Sequence, residues 1–175
     1  MASAPDFDGF EVAWRDFLSS LEKAWIKLER VCRQRPGFVT WQARFKLLRE
    51  TDPLLQYLYH ARHVDQHTVK EMLDLVPGKR EVRIDGPGLV AIDHLVIEHG
   101  RVLSYSGNRP LKETITPARA ELIMIENRGK RCEPPTEHLG AVVADRSPLG
   151  VAIAGLRFYK SVVGEAELKY FGGTR

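Results

Sequence analysis

The chain has 175 residues, 43% hydrophobic and 28% charged, with 26 lysines and arginines against 23 aspartates and glutamates. These are the proportions of an ordinary globular protein with room for one sizeable core, so collagenous and low-complexity classes are excluded. A net charge of +3 permits contact with a phosphate backbone but is too small to argue for it.

Cys32 and Cys132 lie far apart and lack close Cys or His neighbours, so neither a disulfide scaffold nor a zinc finger is indicated. Two reduced thiols in a cytoplasmic protein are expected. The N-terminus lacks the basic region and apolar run of a signal peptide, and no apolar run approaches the ~20 residues of a membrane span.

The first element is a helix with Asp6 or Asp8 as cap. Its core stripe is Phe10, Trp14, Phe17, Leu21, Ala24, Leu28 and Val31, spaced alternately by four and three. Arg33, Arg35, Pro36 and Gly37 end it. A second helix runs from about Phe38 to Glu50, with Phe38, Trp41, Phe45 and Leu48 buried. Thr51-Asp52-Pro53 marks a boundary, with Asp52 as cap and Pro53 in the first turn of a third helix. That helix is expected to reach about Val76, stopped by Pro77-Gly78.

The pattern then becomes β-rich. Strands are expected at Glu81–Asp85, Val90–Ile97, Val102–Tyr105, Ala120–Glu126 and Arg131–Glu133, with turns at Gly86-Pro87-Gly88, Glu98–Arg101 and Asn127–Lys130. They suggest one small antiparallel sheet between about residues 80 and 135. Pro134-Pro135 to Gly140 is a loop. Ser147 and Pro148 open a last helix whose stripe is Leu149, Ala152, Leu156, Tyr159, Val163, Ala166 and Tyr170. Gly150, Gly155 and Gly164 weaken that helix, and Gly172-Gly173 ends it. The expected architecture is therefore α+β, one domain over 1–175. A four-helix bundle comes from 7–78 and 147–171, with a β insertion at about 80–135.

The third helix has a polar centre. Its stripe Leu55, Tyr59, Arg62, Gln66, Val69, Leu73 and Val76 is apolar at both ends, and so is its neighbour Leu54, Leu58, Ala61, Asp65, Thr68, Met72 and Leu75. An unpaired buried charge is very costly, so Arg62 and Asp65 must be paired or must line a cleft or an interface. His60, His63 and His67 occupy the remaining face, and His63 and His67 are neighbours one turn apart.

Arg62-His63-Val64-Asp65-Gln66-His67 resembles the Arg-x4-6-His motif of the HEPN superfamily, in which a polar residue follows the arginine. The resemblance covers the helical parts, and the β region departs from the minimal HEPN pattern. It implies a helical bundle, often dimeric, with the motif on a bundle helix facing the dimer interface. It also implies a metal-independent endoribonuclease or RNA-binding protein, of the kind found in toxin–antitoxin, abortive-infection and phage-defence systems. Arg62, His67 and His63 are then the catalytic candidates, RNA the substrate, and a homodimer, with a protein partner such as an antitoxin, the assembly. No cofactor is expected.

The chemistry is sound on first principles. RNA supplies its own 2′-hydroxyl nucleophile. His67 can move a proton near neutral pH. Arg62 can hold the phosphate and stabilise its developing charge. His63 can position Arg62 or act as the partner acid or base. Arg62 and His67 lie about 140° apart on a regular helix, so a two-fold pair of helices would complete the site better than one.

Two other readings remain open. His63 and His67 have the spacing of two metal ligands, with His60, Asp65, His94, His99 or His138 as further donors, although Val64 replaces the glutamate of the zinc-protease pattern. The polar centre can also be the interface network of a non-enzymatic helical dimerisation module. Arg128, Lys130 and Arg131 form a basic turn, a solvated feature by default and an extra phosphate contact if RNA binds. His138 sits on a loop expected to dock on the bundle. Trp14, Trp25 and Trp41 read as core.

Overall fold

The computed structural model describes residues 5–67 and 72–172. Among the described residues four helices carry the core: α1 (Pro5–Cys32), α2 (Phe38–Thr51), α3 (Pro53–His67) and α4 (Pro148–Phe171). The fold is α+β, with three N-terminal helices, one C-terminal helix, and small β-hairpins between α3 and α4. Among the described residues ten strands lie in that interval: β1 (Leu73–Val76), β2 (Lys79–Ile84), β3 (Ile92–Glu98), β4 (Arg101–Gly107), β5 (Leu111–Thr116), β6 (Arg119–Leu122), β7 (Ile125–Asn127), β8 (Lys130–Cys132), β9 (Glu137–His138) and β10 (Ala141–Val142).

The chain divides into two compact units. The helical body comprises residues 4–74 and 120–175, and a ribbon unit lies within 75–119. The divisions fall within the β1 and β6 segments of the chain.

In the helical body α3 is central, packed by α1, α2, α4 and the β7–β9 segments. Leu54, Leu55, Tyr57, Leu58, Ala61 and Val64 bury its core face, and the Tyr57 hydroxyl donates to the Ile123 carbonyl at 2.8 Å. Edge-on aromatic contacts from Trp41 to Tyr170 and from Phe45 to Phe158 link α2 to α4. The three tryptophans are core residues, as expected.

Several local expectations hold. Asp52 caps α3 by accepting from the Leu55 amide at 2.9 Å. Ser147 Oγ caps α4 by accepting from the Gly150 amide at 3.1 Å, with Pro148 opening the helix. Three two-residue turns, His99-Gly100, Arg128-Gly129 and Leu139-Gly140, have both residues at positive φ. That is the conformation whose twist closes an antiparallel hairpin: β3–β4 and β7–β8 follow from it as expected, and β9–β10 follows from it where a loop was expected.

Others are corrected. Helix α1 begins at Pro5, a residue suited to a first turn, so Asp6 and Asp8 lie inside the helix. Its buried stripe runs through Trp14, Leu18, Leu21, Trp25 and Cys32, while Ala24 and Val31 are exposed. The two stripes share the four-three spacing, so spacing alone does not choose between them. On α4 the core runs through Val151, Gly155, Phe158, Val162 and Ala166, leaving Leu149 and Leu156 exposed.

Helix α3 does not reach Val76, because Leu73–Val76 is a strand paired with β6. The expected stretch 120–126 is two strands, β6 and β7, and β5, β9 and β10 have no counterpart among the expected strands. The strands form separate two-stranded pairs rather than one sheet. In the ribbon unit, β2–β5 is followed by β3–β4, with the Asp85 and Asn108 amides bonding to the Pro110 and Ala91 carbonyls between them. The Arg109 guanidinium bonds the Gly86 and Pro87 carbonyls and holds that glycine-rich turn.

Candidate functional site: the polar faces of helix α3

The buried residues of α3 subtend one arc, and at 100° per residue Arg62 falls between Leu58 and Leu55 within it. Arg62 is half-buried, and its Nε and Nη1 atoms are buried with no hydrogen-bond partner among the described residues. His63, one residue on, points about 100° away, onto the polar face. There it meets the Tyr59 ring, centroids 4.4 Å apart. The first two motif residues therefore do not converge on one helix. His67 closes α3, and its side chain, like those of Asp65 and Gln66, lies outside the described residues.

The polar face of α3 instead builds a cavity of about 470 Å³ with α1, α2 and β8. Its walls are Trp25, Tyr59, Gln56 and His60, with Lys46, Arg49, Glu50 and Lys130 as the charged groups. The Arg49 guanidinium lies 4.4 Å from the Trp25 ring centroid and 5.6 Å from that of Tyr59. Its Nη2 donates to Glu22 at 2.5 Å, while its Nε is buried without a hydrogen-bond partner among the described residues. Lys46 pairs with Glu29 at 3.1 Å. Lys130 Nζ donates to Gln56 Oε1 at 2.8 Å, and Gln56 Nε2 is itself fixed to the Glu50 carbonyl at 2.6 Å. Of the basic cluster expected on the β7–β8 turn, Lys130 thus lines the cavity, whereas Arg131 stays exposed opposite Glu126 at 3.7 Å.

His60 enters the site through Asn127, whose Nδ2 lies 3.1 Å from His60 Nδ1. Burial, followed by the positive charges of Lys130 and His63, holds the imidazole below its ordinary range. With Asn127 Nδ2 as the donor, the uncharged ring accepts at Nδ1 and its proton sits on Nε2.

Lys46, Arg49 and Tyr59 have no place among the site residues expected from the sequence, and His60 enters there only as a further metal donor. The signal for His60 was its place in the histidine-rich stretch. The others come from separate segments with no motif linking them.

His138 belongs elsewhere. Its Nδ1 lies 3.0 Å from Asp52 Oδ1, and its ring meets Phe158, so the loop is docked on the helical body. His94 and His99 lie in the ribbon unit. Among the described residues no three His, Cys, Asp or Glu side chains gather in a group that could hold a metal ion. Both thiols have their pKa raised by burial, which disfavours the reactive thiolate. No described helix is long and apolar enough to cross a membrane. No family model, no curated protein and no solved structure matches this chain.

Proposed function

We propose that this chain is a HEPN-like, metal-independent endoribonuclease of the cytoplasm. It acts as a homodimer, in a toxin–antitoxin or phage-defence setting, and cleaves RNA by attack of the 2′-hydroxyl on the adjacent phosphate. Arg62 holds the phosphate, His67 moves the proton, and His63 orients the arginine or serves as second acid or base. The proton leaves the 2′-hydroxyl for a base as the oxygen–phosphorus bond forms. The departing 5′-oxygen receives a proton from an acid on the opposite side. Two copies of α3 supply these two groups.

The observation that carries this reading is Arg62 itself. A guanidinium with two buried nitrogens that lack a hydrogen-bond partner among the described residues is costly, and an arriving phosphate would offset that cost. The four-helix arrangement, with the motif on its third helix, also suits the reading.

The test is cleavage of a panel of RNAs with and without EDTA, by the native chain, Arg62→Met and His67→Ala. Native cleavage should be insensitive to the chelator, and each variant should lose activity by about hundredfold or more. Arg62→Met should unfold no earlier than the native chain, because it removes a poorly satisfied charge and keeps the packing volume. Cleavage that survives in both variants, or that is absent for every RNA, overturns the proposal.

A second reading, a dimerisation module without catalysis, is favoured by one observation. Leu149, Ile153 and Leu156, spaced four and three on α4, are all exposed. Under that reading a charged residue at Ile153 abolishes the dimer, and no nuclease activity is present to be lost.

A further inference from the structure

Most strand edges of the ribbon unit are blunted. Lys79, Arg80 and Arg83 lie on β2, and Lys112 and Glu113 on β5. β4 is interrupted by a bulge at Leu103, the residue left over where the register shifts between Val96 and Ile97. Charges and bulges of this kind discourage an edge from pairing. β3 has no lysine, arginine or bulge between His94 and Glu98. It pairs with β4 on one side, and no strand meets its other edge among the described residues. Its residues are exposed along its length, Leu95, Val96 and Ile97 included. A two-stranded ribbon is marginal in water and gains stability from further strands.

The regular stretch of β3 is short and bounded. Ile92 pairs with Gly107 and His94 with Ser106, so a bulge at Asp93 ends it on one side. The His99-Gly100 turn ends it on the other. Within residues 94–98, Leu95 and Ile97 share one face, opposite Tyr105 and Val102, while His94, Val96 and Glu98 share the other. Two copies of this stretch, laid antiparallel, use all five residues in one register, centred on Val96. Leu95 then meets Ile97 of the second copy, Val96 meets Val96, and His94 meets Glu98. Apolar side chains oppose apolar ones on one face. On the other an imidazole opposes a carboxylate on each side of the centre, and such cross-strand pairs are what stabilise a sheet.

We infer that the free edge of β3 pairs with β3 of a second copy of this chain, giving a four-stranded sheet with a two-fold axis at Val96. Backbone hydrogen bonds hold the two edges, and the Leu95–Ile97 and His94–Glu98 pairs fix the register. This contact lies in the β region, where the chain departs from the HEPN pattern. It rests neither on the ribonuclease reading nor on the pairing of α3 helices.

The experiment is disulfide trapping of the full chain carrying Val96→Cys, with oxidised glutathione as oxidant and with the native chain and Ser104→Cys as controls. Position 96 lies on the axis, within disulfide reach of its own copy, whereas the two copies of position 104 are three strand spacings apart, about 14 Å. Val96→Cys should therefore give the linked dimer at least about tenfold faster than Ser104→Cys. Adding His94→Lys and Glu98→Lys to Val96→Cys sets lysine opposite lysine, and adding His94→Glu alone sets glutamate opposite glutamate. Each protein, checked for native circular dichroism, should be trapped about tenfold more slowly. A mixture of the two sets lysine opposite glutamate and should recover the rate. Trapping no faster at 96 than at 104, trapping indifferent to the charges, or no recovery in the mixture overturns the inference. So does protection of the 94–98 amides from hydrogen exchange in a protein that sediments as a monomer, which assigns the edge to another segment of the same chain.

Discussion

The buried carboxylate of Asp52 joins the first turn of α3 to the loop that carries His138. One oxygen accepts from the Leu55 amide at 2.9 Å and lies 3.0 Å from His138 Nδ1, and the other accepts from the Leu139 amide at 2.6 Å. Asp52→Ala removes a helix cap and strands two donors, His138 Nδ1–H and the Leu139 amide. It should lower unfolding stability by about 2–4 kcal/mol. His138→Ala should cost less, about 1–2 kcal/mol, because Asp52 keeps its two amide partners. In urea unfolding the double variant should fall short of the sum of the two losses by more than about 0.5 kcal/mol. Simple additivity would mean that the loop and the cap are energetically independent.

Two glycines of α4 should respond in opposite directions. A Cβ on Gly155 would fall well inside van der Waals contact with Leu58 Cδ1 and would touch Leu21 and Leu54, all buried. The gain in helix propensity is about 1 kcal/mol and the overpacking cost about 1–3 kcal/mol, so Gly155→Ala should be net destabilising. Gly164 has open space at the same position, and Gly164→Ala should stabilise by up to about 1 kcal/mol. The measurement is the urea midpoint at unchanged slope. A gain from both substitutions would show that α4 does not need its close approach to α3.

His60 gives a pH dependence whose sign follows from its lowered pKa. In the unfolded chain the imidazole takes up its proton near its ordinary value of 6.5, before the folded protein does. Its contribution to stability is therefore complete above that pH. It is lost as pH falls from there towards the lower folded value. Comparing about pH 7.5 with about pH 5, the native chain should lose more stability than His60→Gln, which cannot titrate. An equal loss in both proteins would place the acid sensitivity in other groups.

Local chemistry made much of the fold readable. Asp52-Pro53 and Ser147-Pro148 declare helix starts because a side-chain acceptor and a fixed proline φ act within one turn. Residue-Gly pairs at 99–100 and 128–129 declare hairpins because positive φ is a local requirement, whereas the same pair at 139–140 lies in a stretch expected as a loop. The order of four helices around a β insertion follows from such signals.

The amino-acid order alone thus determined where helices start, where chains reverse, and that α3 carries an arginine amid an apolar pattern. Tertiary structure decided what periodicity leaves degenerate. On α1 two stripes share the same spacing, and only packing selects Leu18, Trp25 and Cys32 over Ala24 and Val31. On α4 the core passes through Gly155, a residue with no side chain to signal burial, because the helix lies close against Leu58. Leu73–Val76 continues the helical pattern of α3 yet forms a strand, because β6 supplies its backbone partners. The cavity is the clearest case. Trp25, Arg49, Tyr59 and Lys130 come from four separate segments, and no spacing in the chain encodes a meeting that only long-range packing brings about.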